Sequence, residues 1–207
     1  MRNATVLVTG FEPFGGEAVN PSWLAAQRLD GARILGKAVA AAQLPTVFAT
    51  ALPTLDAWLS QHDPCLVLCV GQAQGETGFC LERVAVNWTD ARIPDNAGAQ
   101  PVDLPVLPGG PPAHFATLPL RSILQALHRA GLPARISHSA GAFVCNHVFY
   151  GLMQALAARP ACRGGFVHIP LLPEQAVRNP GQPSLSLDLV EAGLRIILET
   201  GLRELPG

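Results

Sequence analysis

Short, continuous apolar runs alternate with longer helix-type runs along this chain of 207 residues, and this alternation constrains its fold most. The clearest apolar runs, at residues 5–9, 65–71 and 165–171, have the length of strands that are buried on both faces. The alternation is typical of an α/β protein rather than of a β-sandwich or a helical bundle. We therefore expect a single three-layer α/β/α domain over residues 1–207, with a twisted, mostly parallel or mixed central sheet.

Other segments of the chain predict the remaining elements. Residues 46–61 predict a helix that contains Pro53, so we expect a kink there or two short pieces. Residues 88–115 are rich in Pro, Gly, Asp and Asn and predict one long loop, which either has a function or is a plain surface excursion. The other expected strands lie at residues 32–40, 81–87 and 134–139, and the other expected helices at residues 22–29, 117–130, 146–158 and 185–202.

Composition excludes several classes of protein. A hydrophobic share of 49% argues against a disordered chain. Fourteen Lys and Arg against fifteen Asp and Glu argue against binding to nucleic acid or to an anionic membrane. No apolar run is long enough for a transmembrane helix, and the N-terminal apolar stretch is too short for a signal peptide. Five cysteines, an odd number in a chain of this size, favour reduced thiols in the cytoplasm.

A glycine-rich loop, Gly10-Phe-Glu-Pro-Phe-Gly-Gly16, follows the first expected strand and precedes a helix. Open α/β sheets place ligand-binding loops at such positions. Its glycine spacing matches neither the dinucleotide-binding pattern nor the triphosphate-binding pattern, so phosphate is not the expected ligand. Phe11 and Phe14 are suited to clamp a small flat ring, and the alternative is that both pack under the turn.

Cys145 is expected at the start of a helix. The positive end of the helix dipole favours a thiolate there, and the free N–H groups of the helix end can stabilise an oxyanion. His168, in an otherwise apolar strand, is a candidate base, and Glu82, on another strand, is a candidate to orient its ring. The alternatives are a buried structural cysteine, a satisfied core histidine, and a Glu82 that pairs with Arg83 or faces solvent.

Three groups of segments follow one another over nearly the whole chain: residues 8–16 with 20–21, residues 70–73 with 82–87 and 90–96, and residues 144–147 with 166–175. Together they resemble the pyroglutamyl peptidase I family of cysteine peptidases. The resemblance implies an α/β/α enzyme that removes an N-terminal pyroglutamyl residue from peptides and needs no metal or other cofactor. It also implies a cytosolic homo-oligomer, often a tetramer.

The resemblance also implies a role for individual residues. Cys145 corresponds to the nucleophile that forms an acyl-enzyme, His168 to the general base and Glu82 to the carboxylate that orients the imidazole. The backbone N–H of Cys145 and Arg92 lie in the regions that the family uses around the oxyanion. The residues that correspond to positions around the pyrrolidone ring are Phe11, Phe14, Asn20, Thr46, Gln72, Ile93, Phe143 and Val144.

Two positions ahead of Cys145 depart from the family pattern, because His138 and Ala142 stand where the family often has Asn and Thr. Two other classes of function stay open. A nucleoside phosphorylase-like transferase could use the same fold but would need a phosphate site. A binding module would keep the pocket and lack turnover. Phosphate-dependent cleavage of a nucleoside, or peptide binding without product release, would distinguish them.

Overall fold

The computed structural model describes residues 5–205, and this part of the chain forms nine strands and six helices. The strands are β1 (Val6–Phe11), β2 (Arg33–Ile34), β3 (Lys37–Leu44), β4 (Leu66–Gln72), β5 (Phe79–Glu82), β6 (Val84–Val86), β7 (Ala113–Phe115), β8 (Ala134–Ser137) and β9 (Arg163–Ile169). The helices are α1 (Pro21–Leu29), α2 (Phe48–His62), α3 (Leu120–Arg129), α4 (Val144–Ala157), α5 (Pro173–Ala176) and α6 (Leu187–Arg203).

Seven strands form the central sheet in the order β2-β3-β1-β4-β9-β5-β8. Within this sheet, the neighbouring strands β3, β1, β4 and β9 are parallel. Strands β5 and β8 are also parallel to each other. Two pairs are antiparallel, β2 with β3 and β9 with β5. The sheet is therefore mixed, which agrees with the expectation of a mostly parallel or mixed sheet. Strands β6 and β7 form a separate antiparallel pair.

Helices cover both faces of the central sheet. Helices α2 and α4 pack on one face, and α1, α3 and α6 pack on the other. Strand β1 is buried along its whole length, and β4 is buried except at Gln72. Because both faces of these strands are covered, their sequences read as continuous apolar runs. The expected three-layer α/β/α arrangement is confirmed.

Two expected strands divide in the structure. Residues 32–40 contain a tight turn, with Leu35 and Gly36 at φ values of 47° and 79°, so β2 and β3 pair as a hairpin. The segment 81–87 divides at Arg83, whose N–H donates to Ser137 while its carbonyl accepts from Ala116. The chain thus changes hydrogen-bonding partners there, and it passes from the central sheet to the small one.

Helix α2 and the long loop also differ from expectation. Helix α2 is one element with Pro53 inside it, so the expectation of two short pieces was wrong. Proline removes one hydrogen-bond donor, and the buried contacts of Ala51, Leu55 and Leu59 hold the helix on both sides of it. The long loop ends in β7 rather than running on to Phe115. No helix between residues 5 and 205 is both long and apolar enough to span a membrane.

Candidate active site

The thiol of Cys145 lies at the start of α4, as its second residue. The N-cap residue, Phe143, gives the first turn no side-chain hydrogen bond, which leaves backbone N–H groups of that turn available to a ligand. The Cys145 sulfur sits over β4, where a Cβ built on Gly71 would come within 3.0 Å of it. The same Cβ would lie 2.8 Å from Cζ of Phe166, so a glycine leaves the space that the sulfur and the ring occupy.

His168 and Glu82 meet beside this thiol because of strand register. In the parallel pairing of β4 with β9, His168 stands opposite Gly71. In the antiparallel pairing of β5 with β9, Glu82 stands opposite Phe166. Phe166 precedes His168 by two residues, so the two side chains lie on the same face of β9. Nδ1 of His168 lies 2.9 Å from Oε1 of Glu82, and the His168 ring also hydrogen-bonds the Cys145 side chain. The structure therefore brings these three side chains together.

The imidazole of His168 is held in its protonated form. Burial lowers the pKa of His168, but the hydrogen bonds and charges of Cys145 and Glu82 outweigh burial and raise this pKa to about 10. Glu82 is only 1% exposed, and its Oε2 has no hydrogen-bond partner among the described residues. A carboxylate buried in this way depends on the neighbouring imidazolium for compensation.

The other four cysteines differ from Cys145 in their surroundings. Burial raises the pKa of Cys69, Cys80 and Cys162 to about 12 and also raises the pKa of Cys65. These four thiols therefore keep their protons at neutral pH and are poor nucleophiles. Cys145, partly exposed and bonded to an imidazole, is the cysteine suited to nucleophilic attack.

Aromatic side chains gather around Phe143, the residue that precedes α4. Phe14, from the glycine-rich loop, faces Phe143 with 6.2 Å between the ring centroids, and Phe143 in turn meets Phe48 edge-on at 5.4 Å. Phe11 is 2% exposed and packs against Phe166 at 6.2 Å. Phe14 and Phe143 thus form a partly exposed ring pair, while Phe11 lies in the core beneath the site.

The polar candidates Asn20, Thr46 and Gln72 act on the glycine-rich loop or border it. Nδ2 of Asn20 and Oγ1 of Thr46 both donate to the carbonyl of Glu12, at 2.9 and 3.0 Å. Asn20 also caps α1 by accepting from the N–H of Ser22. Gln72, at the end of β4, is partly exposed, while Asn20 and Thr46 are buried. Asn20 and Thr46 therefore fix the shape of the loop.

The remaining candidates lie in two different environments. Arg92 and Ile93 are exposed on the long loop, which is tied to the start of α4 by the hydrogen bond from the N–H of Asp90 to the carbonyl of Ala142. Val144 is fully buried in the layer of α2 and α4. His138, which replaces the Asn common in the family, is exposed on the segment before Cys145.

Several residues that shape the site were not assigned a role from the sequence. Asn146 follows Cys145, is fully buried, and binds both backbone groups of Val86. The signal in the sequence was a polar residue, Asn146, near the start of an otherwise largely apolar helix. The buried Gln175 belongs to a motif that carried the family resemblance. The residues missed are Glu17, Gly71, Asp95, Asn96, Asn146, Gln175 and Arg178.

A thiol at a helix start, bonded to an imidazole that a buried carboxylate holds, is the arrangement that cysteine hydrolases use. A family model described as pyroglutamyl peptidase matches residues 4–204. The chain therefore belongs to the pyroglutamyl peptidase family, which confirms the resemblance seen in the sequence. The expected enzyme class, a cysteine hydrolase of the pyroglutamyl peptidase I type, is confirmed with it.

Individual relatives agree with this membership. The chain is 55% identical over 200 residues to pyrrolidone-carboxylate peptidase 1 of Ralstonia nicotianae, covering 96% of this chain and 93% of the relative. It is 52% identical over 198 residues to the pyrrolidone-carboxylate peptidase of Escherichia fergusonii, covering 96% and 92%. A crystal structure of pyroglutamyl peptidase I from Bacillus amyloliquefaciens matches with a TM-score of 0.94 and 46% identity, covering 97% of this chain and 98% of that one.

Proposed function

We propose that this protein removes the N-terminal pyroglutamyl residue from peptides, with Cys145 as nucleophile, His168 as proton donor and base, and Glu82 as the carboxylate that holds the imidazole. The contact of His168 with both Glu82, at 2.9 Å, and the Cys145 side chain is the observation that carries this proposal. Membership of the pyroglutamyl peptidase family supports the substrate class.

In the proposed reaction the sulfur of Cys145 attacks the carbonyl carbon that links pyroglutamate to the next residue. The backbone N–H groups at the start of α4 stabilise the oxyanion that forms. The protonated His168 gives its proton to the leaving amine, and a thioester remains on Cys145. His168, now neutral, takes a proton from a water molecule that attacks the thioester and releases pyroglutamate.

The pocket chemistry supports selection of pyroglutamate. Its ring is flat and uncharged and carries one lactam N–H and one lactam C=O, so the rings of Phe14 and Phe143 suit its faces. A free N-terminal ammonium placed between these rings would lose its water and gain only contacts with ring faces, which compensate a small part of that loss, so unmodified N-termini are disfavoured.

The test of the activity is release of a fluorophore from a pyroglutamyl amide under reducing conditions, beside the matching prolyl and glutamyl amides. We expect turnover confined to the pyroglutamyl substrate. A folded, reduced protein that binds a pyroglutamyl peptide without releasing product would instead be a binding module. Cleavage of a nucleoside that depends on added phosphate would move the protein to the transferase class.

Replacing Glu82 with glutamine is expected to move the alkaline limb of the pH profile of kcat/KM to lower pH. Besides Cys145, the hydrogen bond and the charge of Glu82 raise the pKa of His168 against the effect of burial. Loss of that charge therefore lowers the pKa, and the protonated imidazole disappears at lower pH. The limb is measured on the pyroglutamyl amide from pH 6 upward. Glu199→Gln is the control, because Glu199 pairs with Arg203 along α6 and is not among the groups that shift the pKa of His168. An unchanged limb in Glu82→Gln would contradict the role of Glu82.

The assembly and location expected from the sequence stay predictions. These are a homo-oligomer with a tetramer favoured, a cytoplasmic location, a single domain, and catalysis without a metal or other cofactor. Light scattering on the purified protein measures the first of them, and activity in excess chelator measures the last.

A further inference from the structure

The loop that carries Phe14, residues 12–19, is anchored firmly at its beginning. Its first carbonyl, on Glu12, accepts from Asn20 and Thr46, and the carbonyl of Pro13 accepts from Nδ2 of Asn96 at 2.9 Å. We call residues 12–19 the Phe14 loop. These hydrogen bonds hold the chain before Phe14. They do not hold the part of the loop that follows Phe14.

After Phe14 the loop turns at two exposed glycines, Gly15 and Gly16, with φ values of 63° and 82°. Such residues give the backbone no side chain to pack, so the return half of the loop needs a separate anchor. That anchor is Glu17, whose Oε2 accepts from Nη2 of Arg178 at 2.8 Å and from Nε2 of Gln175 at 3.3 Å. The hydrogen bond from Arg178, followed by that from Gln175, lowers the pKa of Glu17, so its carboxylate is charged.

Gln175 is fully buried and joins three segments of the chain. Its Oε1 accepts from the N–H of Leu172 at 3.0 Å, which fixes the orientation of the amide. Its Nε2 faces three acceptors, Oε2 of Glu17 and Oε1 of Gln72 at 3.3 Å and the carbonyl of Val19 at 3.5 Å. Removal of this amide would leave buried or half-buried acceptors without a partner.

We propose that Glu17, Gln175 and Arg178 are positioning residues that hold the Phe14 loop against the substrate pocket. This inference rests on the proposed function, because the loop places Phe14 opposite Phe143 where the pyrrolidone ring is proposed to bind. A loop released at Glu17 must be ordered again on each binding event, which weakens substrate binding. None of the three side chains contacts Cys145 or His168, so the chemical step is unaffected once substrate is bound.

Arg178→Ala is the deciding variant, because Arg178 is exposed and its removal leaves the core intact. We expect KM for a pyroglutamyl amide to rise about threefold to fivefold with kcat within about twofold of the unmodified protein. Gln175→Leu is expected to raise KM about tenfold in the same way. Arg178→Lys, which keeps the charge, should recover most of the loss.

Arg135→Ala provides the matched control. The pair of Arg135 with Glu76 is as exposed as that of Arg178 with Glu17, at 54% and 21% against 58% and 23%, and it lies away from the Phe14 loop. KM should not change in this variant. An equal rise in KM for Arg135→Ala and Arg178→Ala, or a loss confined to kcat in Arg178→Ala, would overturn the proposal.

Hydrogen exchange without substrate separates this inference from the proposed function. The amide of Glu17 donates to the carbonyl of Phe14 at 3.2 Å, so we expect its exchange to be faster in Arg178→Ala and unchanged in Arg135→Ala. An inactive wild-type protein would refute the proposed function, while faster exchange would still support the anchor. Unchanged exchange together with unchanged KM would refute the anchor in an active enzyme.

Discussion

Cys145→Ala is expected to lower kcat/KM for a pyroglutamyl amide by about 10⁴-fold or more while the protein keeps its fold. The sulfur is the proposed nucleophile, and the variant lacks it. Direct attack by water on the amide is expected to be far slower than the route through a covalent intermediate. The fold should persist because Cys145 is partly exposed at the first turn of α4, where the change removes a single atom. Activity and the midpoint of thermal unfolding are the two measurements.

Cys162→Ala is the matched control for loss of a thiol. Cys162 is buried in the α2 and α4 layer ahead of β9, and burial raises its pKa to about 12. Its variant should lose some stability and keep its activity per folded molecule. Retained turnover in Cys145→Ala, at more than about a hundredth of the unmodified rate, would refute the proposed nucleophile.

The second large effect is expected from Gly71→Ala, with a loss of about 100-fold in kcat. The added Cβ would stand 3.0 Å from the Cys145 sulfur and 2.8 Å from the Phe166 ring. One of them must move, and both border His168, so the distance from thiol to imidazole changes. Reaction rates are sensitive to such displacements because the reacting atoms must meet in a narrow range of geometry.

Gly164→Ala separates this effect from plain overpacking. Its Cβ would meet the Leu156 side chain at 2.4 Å, away from the thiol. Both variants should lower the free energy of unfolding by about 1 to 3 kcal/mol, and Gly71→Ala alone should reduce kcat. An equal kcat in the two variants, measured below their unfolding temperatures, would show that the space over Gly71 has no part in catalysis.

The sequence predicted those elements whose pattern is local. Strand β4 was found because both of its faces are covered, and the position of Cys145 was found because the start of α4 directly follows a turn. The division of residues 81–87 at Arg83 was missed, since the hydrogen-bonding partners of Arg83 are Ser137 and Ala116, far along the chain. Non-local pairing of this kind leaves no periodic signal within the segment.

The site was predicted in part for the same reason. Spacing and residue type made Cys145, His168 and Glu82 candidates, but their contact depends on the register of β9 between β4 and β5. Their structural alternatives stayed open until the family resemblance favoured the same three residues as one set. Gln175 lies in a segment that carried the family resemblance but was given no role, because its burial follows from contacts with Glu17 and Gln72, which are distant in sequence.

The position of β9 links completion of the central sheet to assembly of the candidate active site. It is the last of the described strands in the chain, yet it lies in the middle of the sheet, between β4 and β5. Among the described strands, β9 alone pairs with both β4 and β5, so without it the two parts of the central sheet share no strand pairing. The same strand brings His168 to Glu82 and to the thiol. We therefore expect a chain that lacks β9 to have the thiol without its imidazole, so the proposed hydrolysis requires the complete sheet.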